Sequence, residues 1–124
     1  MNWTATGAIS LALAVMIGAF GAHGLKGRLD EYSMNIYERA VMYHFFHALG
    51  LLLVAALART GAVTASAAAW AGWLLLAGIV LFSGSLYALA LTGVRTFGAV
   101  TPLGGLAFIA GWLALAIGAL RVNK

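Results

Sequence analysis

Ten charged residues divide the chain into four long uncharged stretches, residues 1–25, 40–58, 60–94 and 96–120, which are 25, 19, 35 and 25 residues long. An α-helix rises about 1.5 Å per residue, so roughly 20 apolar residues cross the ~30 Å hydrocarbon core of a bilayer. Each stretch can therefore cross once, and the 35-residue stretch is too short to cross twice. The pattern predicts an all-α integral membrane four-helix bundle with short loops. Its helices are expected at about residues 3–22, 33–57, 68–91 and 102–120, in a single transmembrane domain spanning residues 1–124.

Local signals refine these limits. Asp30 or Ser33 can cap helix two, whose opening carries Leu29, Tyr32 and Ile36 at helical spacing and is expected to lie along the interface before descending. Residues 92–96 predict a tight turn. Thr101-Pro102 marks the start of helix four, since threonine can cap and proline suits the first helical position. Trp3, Trp70 and Trp73 sit near helix starts, where aromatic residues anchor at the membrane surface. Two small-residue stripes predict close helix packing: Ser10, Ala14, Gly18 and Ala22 at every fourth position of helix one, and Gly104, Gly111 and Gly118 at every seventh of helix four. Such seams either close within one bundle or face another copy or a larger membrane complex.

Composition supports lipid as the main solvent, because 64% of the residues are hydrophobic and 8% charged, whereas about a quarter of a soluble domain is charged. The first stretch has no basic segment at its start and no small-x-small cleavage pattern at its end, so it is expected to be a retained helix rather than a secretory signal. The formal charge of +4 is scattered singly near segment ends, which suits lipid headgroups; a nucleic-acid partner would need a clustered basic patch. No cysteine is present, which excludes disulfides and thiolate metal sites. Arg59, Arg121 and Lys124 lie on the side of the termini and Lys26, Arg28, Arg39 and Arg95 on the other, a balance that assigns no orientation by itself.

The candidate chemistry lies on the side of the first and third loops. His23 ends helix one there. If helix two enters the hydrocarbon near Arg39, then His44 and His47 lie about 7 and 12 Å below that surface, with Tyr43 between them and Arg39. Counting back from Gly93 places Tyr87, Ser85 and Ser83 about 9, 12 and 15 Å below it, and Thr101 is on the same side. Polar groups in hydrocarbon are costly unless they find partners, so this gathering is a candidate site. The residues expected to build it are His23, Arg39, Tyr43, His44, His47, Ser83, Tyr87 and Thr101.

Several roles fit these residues. They can bond between helices, or line a pocket for a membrane lipid, a quinone or another small amphiphile. A metal or haem reading has three histidines but no carboxylate deep enough to join them, so no metal or cofactor is assigned. A histidine-based proton path ranks below lipid binding. Ser83-Gly84-Ser85 is not a nucleophile elbow, which needs a strand-to-helix turn, and the two hydroxyls are expected to bond the carbonyls of Ile79 and Leu81 one turn back. No motif supports enzymatic activity. The expected role is a non-enzymatic binding or accessory protein, with a structural or assembly subunit of a larger membrane complex as the alternative.

Four segments taken together, Gly18-Ala19-Phe20-Gly21-Ala22-His23, Tyr43-His44-Phe45-Phe46-His47-Ala48-Leu49, Leu81-Phe82-Ser83-Gly84-Ser85-Leu86-Tyr87 and Thr101-Pro102-Leu103-Gly104-Gly105, resemble the domain-of-unknown-function 423 family of small bacterial inner-membrane proteins. That family is related to a small mitochondrial transmembrane protein of animals. The resemblance implies a four-helix membrane protein without an assigned activity. It also implies termini in the cytoplasm, because such proteins carry basic residues on the termini and second loop. His44 stands where relatives often have glutamine, which keeps hydrogen bonding but not a histidine pair.

Overall fold

The computed structural model describes all residues, 1–124, and contains four long helices and no strand. These are α1 (Trp3–Leu25), α2 (Glu31–Thr60), α3 (Ala65–Thr92) and α4 (Thr101–Val122), each long and apolar enough to cross a bilayer. Except at the start of α1, they extend one to three residues beyond the limits expected from sequence, out to the residues that cap them. The Asn2 side chain accepts the Ala5 N–H at 3.0 Å, and the Asp30 carboxylate accepts the Ser33 N–H at 2.7 Å. This bond holds the Asp30 carboxyl below its ordinary range. At the other ends, Gly61 and Gly93 close α2 and α3 at φ +71 and +72, a left-handed conformation that costs glycine nothing for want of a Cβ.

The third connection differs from the tight turn expected. A 3-10 segment, Arg95–Ala99, precedes α4, and Thr101 does not cap its helix, because its hydroxyl lies 2.6 Å from that of Ser85. α2 is one continuous helix of 30 residues. That is about 45 Å, so its opening turns, with Glu31, Tyr32 and Glu38 exposed, reach beyond a ~30 Å hydrocarbon core into the headgroup layer. Two wider π turns interrupt the helices, Gly21–Leu25 at the end of α1 and Ile79–Ser83 within α3.

α1 lies antiparallel against α2, and α4 antiparallel against α3. On α1 the packed small residues are Gly7, Ser10, Ala14 and Gly21, while Ala22 is exposed. Steps of four advance 400° and drift 40° around a helix each time, so a period-four stripe turns out of the interface, whereas alternating steps of three and four stay in it. Gly21 thus takes the contact with the Tyr37 ring, whose hydroxyl donates to the Ile17 carbonyl. Gly18 sits at the edge, near Val41.

The glycine seam of α4 is buried throughout. Gly104 meets the backbone of Phe82 in the π turn, Gly111 meets Leu75, and Gly118 meets Ala67. Both seams are therefore filled by the chain's own helices. Leu51, Val54 and Leu75 form the fully buried centre. Ile9, Leu13, Phe46, Trp70, Val80, Leu103, Leu113 and Leu120 are exposed around the perimeter. In water so large an apolar surface would associate; in a bilayer it is the surface that faces solvent.

Candidate functional site

Helix geometry separates the two histidines of α2. Three residues advance 300°, so His44 and His47 leave the helix about 60° apart. Since α2 stands between α1 on one flank and α3 and α4 on the other, that angle sends them to different neighbours. Both are buried, and both lie inside the bundle rather than against lipid.

His44 joins three helices. Its Nε2 is 3.0 Å from the hydroxyl of Ser10 on α1, and its Nδ1 is 2.9 Å from the hydroxyl of Tyr87 on α3. The ring of Tyr87 in turn packs against that of Tyr37, with centroids 5.5 Å apart. Ser10 is the member of this set that its place in a small-residue stripe concealed. The signal lay in its isolation: it is the only hydroxyl between Gly7 and Ala22. Tyr37 carried no comparable signal, because the carbonyl it serves belongs to the turn of α1 that precedes the π segment.

His47 enters an aromatic stack instead. Its Nδ1–H donates to the Tyr43 carbonyl at 2.7 Å, and its ring lies on Phe108 of α4, with centroids 3.5 Å apart and planes 14° apart. Tyr43, Phe82 and Trp112 complete the cluster. The serines of α3 make helix-to-helix links. Ser83 is fully buried and donates to the Ala40 carbonyl of α2 at 2.8 Å, not to Ile79. The hydroxyl of Ser85 donates to the Phe82 carbonyl at 3.0 Å, not to Leu81, and meets Thr101 of α4.

The eight residues nominated from sequence are thus distributed over several places. His44 and Tyr87 come together, with Ser10. Tyr43 and His47 form the second group, and Ser83 and Thr101 take part in separate links. His23 and Arg39 are exposed and join none of these. No three histidine, aspartate or glutamate side chains gather where they could hold a metal ion.

The His44 group lines a groove. Between α1 and α3, which touch at Trp3 and Trp73, a cavity of about 450 Å³ opens at the apolar perimeter, where Ile9, Leu13 and Val80 are exposed. Thr6, Ile9, Ser10 and Leu13 form one wall, Leu76, Ile79, Val80, Gly84 and Tyr87 the other, and His44 the floor. Tyr87 is eleven positions beyond Leu76, so the groove is about 16 Å long. Its polar end, at His44 and Tyr87, is nearer the first and third loops, and apart from Ser10 and Thr6 the remaining wall is apolar.

A family model described as "Protein of unknown function (DUF423)" matches residues 17–105. A UPF0382 membrane protein of Staphylococcus epidermidis is 52% identical over 115 residues, which cover 93% of this chain and 92% of that one. The UPF0382 membrane protein YwdK of Bacillus subtilis is 50% identical, with 93% of each chain covered. The chain belongs to the DUF423 family. No solved structure matches it. Of the DUF423 residues described above, the matched segment holds Tyr37, His44, His47, Ser83, Tyr87 and Thr101, whereas Ser10 precedes it. Relatives in two bacterial genera are named as membrane proteins, in agreement with four membrane-spanning helices and an apolar perimeter.

Proposed function

We propose that this DUF423 protein is a non-enzymatic binding protein that holds one amphiphile in the groove between α1 and α3. The supporting observation is the pairing within one cavity of an apolar channel, wide enough for a hydrocarbon tail, with a polar end formed by Ser10, His44 and Tyr87. Ligand pockets are typically apolar with a few placed polar groups that fix orientation, and a groove opening sideways admits a ligand from the membrane itself. The tail lies along Ile9, Leu76, Ile79 and Val80, and the head stops at His44. The His47 cluster has no such cavity and serves to pack α2 on α4.

Gly84 offers a direct test. A Cβ added there would meet nothing closer than the Ile79 carbonyl at 4.0 Å, and Gly84 lines the groove, so a larger side chain has the groove to grow into. Gly84→Leu is expected to fold as the native protein does and to lose any amphiphile that co-purifies, as seen by native mass spectrometry after mild extraction. Identical adducts on both proteins would place the ligand elsewhere, and bare native protein would count against the reading.

We propose further that the chain lies in the bacterial inner membrane with both termini in the cytoplasm, in keeping with the resemblance to proteins whose termini and second loop carry the basic residues. Fluorescent protein fused after Lys124 is expected to fluoresce, and alkaline phosphatase fused there to be inactive. The opposite pair of results would invert the topology.

A further inference from the structure

The hydrogen-bond count at the polar end of the groove restricts what the ligand can be. Ser10, Tyr87 and a neutral His44 carry one polar hydrogen each, and the two bonds that join them use two. One hydrogen is left over whichever tautomer His44 adopts. If Nε2 carries it, Nε2–H donates to Ser10, Tyr87 donates to Nδ1, and the Ser10 hydrogen is free. If Nδ1 carries it, Ser10 donates to Nε2, Nδ1–H donates to Tyr87, and the Tyr87 hydrogen is free. Neither hydroxyl bonds a helix carbonyl, unlike those of Ser83 and Ser85, and both residues line the groove. The other hydroxyl on the wall, that of Thr6, is occupied by the Asn2 carbonyl at 2.9 Å. Ser10 is more than nine-tenths buried and Tyr87 is half-buried, and neither hydroxyl has another partner within the protein for the surplus hydrogen. A donor left unmatched in hydrocarbon is costly, and an acceptor on the ligand removes that cost.

The lining residues include no charge, which excludes any need for an ionised head. A phospholipid would have to draw its phosphate toward a wall without a cation, about 7 Å inside the level of Arg39. Gly84, one turn before Tyr87, has open space where a side chain would stand, which leaves room in the wall near the hydroxyls. We infer that the groove takes a neutral isoprenoid quinone, whose ring carbonyl accepts the surplus hydrogen and whose prenyl tail lies along the apolar walls. This inference rests on the groove being a binding site at all, and it concerns binding only; no electron transfer is involved.

The test compares two probes that differ only in oxygen: a 1,4-naphthoquinone bearing a short prenyl tail, and the naphthalene with the same tail. Affinities are read by native mass spectrometry for the native protein and for the triple variant Ser10→Ala, His44→Leu, Tyr87→Phe. Replacing all three polar partners together leaves no orphaned group, so the variant is expected to fold, which circular dichroism checks. The native protein should prefer the quinone by about tenfold, the worth of one net hydrogen bond. The variant should bind both probes alike. His44→Gln should keep the preference, because an amide can accept from one hydroxyl and donate to the other, again leaving a hydroxyl hydrogen free. Equal affinity of the native protein for both probes would overturn the quinone assignment while leaving the groove a binding site. Displacement of the quinone by phosphatidylglycerol would assign the groove to a lipid acyl ester and overturn it equally. Failure of the native protein to bind either probe or any lipid would remove the groove reading itself.

Discussion

Gly104→Ala is expected to destabilise the bundle by about 2 kcal/mol or more, while Gly105→Ala one position along changes stability by no more than ~0.5 kcal/mol. The difference comes from what each methyl group would meet. At Gly104 a Cβ would stand 2.3 Å from the Phe82 nitrogen and 2.7 Å from its Cα, whereas at Gly105 the nearest atom is 3.9 Å away, on the edge of the Phe82 ring. A ring can rotate, but the backbone of Phe82 is fixed within the π turn and cannot retreat without moving α3. α4 would have to lift away, and Gly111 and Gly118 below it would lose contact with Leu75 and Ala67. Unfolding in mixed micelles of mild and denaturing detergent measures both variants on one scale. Equal midpoints for the two would mean that α4 does not cross α3 at this point.

That crossing shows where sequence is informative in a membrane protein and where it is not. The four helices were legible because charge is so expensive in hydrocarbon that the gaps between charged residues mark the crossings almost unaided. The seam on α4 was legible because a seven-residue interval keeps one face. The stripe on α1 was only partly legible, since Ala22 shares its small size but has rotated away from α2. The π turns were not legible. Each adds a residue to one turn and shifts all that follows, and the apolar side chains around it can satisfy either register.

The polar groups were legible as a set only in part, since Ser10 was concealed in its small-residue stripe, Tyr37 gave no usable signal and His23 and Arg39 lie exposed outside it, and not at all as an arrangement. Depth follows from counting residues, so a gathering of histidine, tyrosine and serine below one face of the membrane could be anticipated. Which of them meet depends on the rotation of α2 relative to three neighbours, and the apolar residues that set this rotation are nearly interchangeable in sequence. The His44–Ser10 pair is separated by 34 positions and joins two helices whose one other side-chain hydrogen bond, from Tyr37 to the Ile17 carbonyl, uses a backbone acceptor that sequence does not mark. The apparent pair of histidines was accordingly two separate sites, one built on hydroxyls and the other on aromatic rings.

His44→Leu is expected to cost about 1–3 kcal/mol, and His44→Gln less than about 1 kcal/mol, in the same detergent assay. Leucine fills much of the volume of histidine and suits hydrocarbon better, so burial alone would favour it. Against this, two hydroxyls from different helices lose their common partner, and each must find a carbonyl on its own helix or remain unpaired. Hydrogen bonds within membranes average only about 0.6 kcal/mol, because polar groups find other partners when the bundle opens, and this sets the lower limit of the expected cost. Glutamine can bridge the same two hydroxyls, with its oxygen toward one and its amide toward the other. Ser10→Ala and Tyr87→Phe supply the decisive comparison. If His44 links them as one network, each single change costs less in a His44→Leu background than in the native protein, a coupling of about 0.5 kcal/mol or more. Strict additivity of the three changes would mean that the hydroxyls act independently of the imidazole, and would leave α1 held to α3 by the Trp3 contact and apolar packing alone.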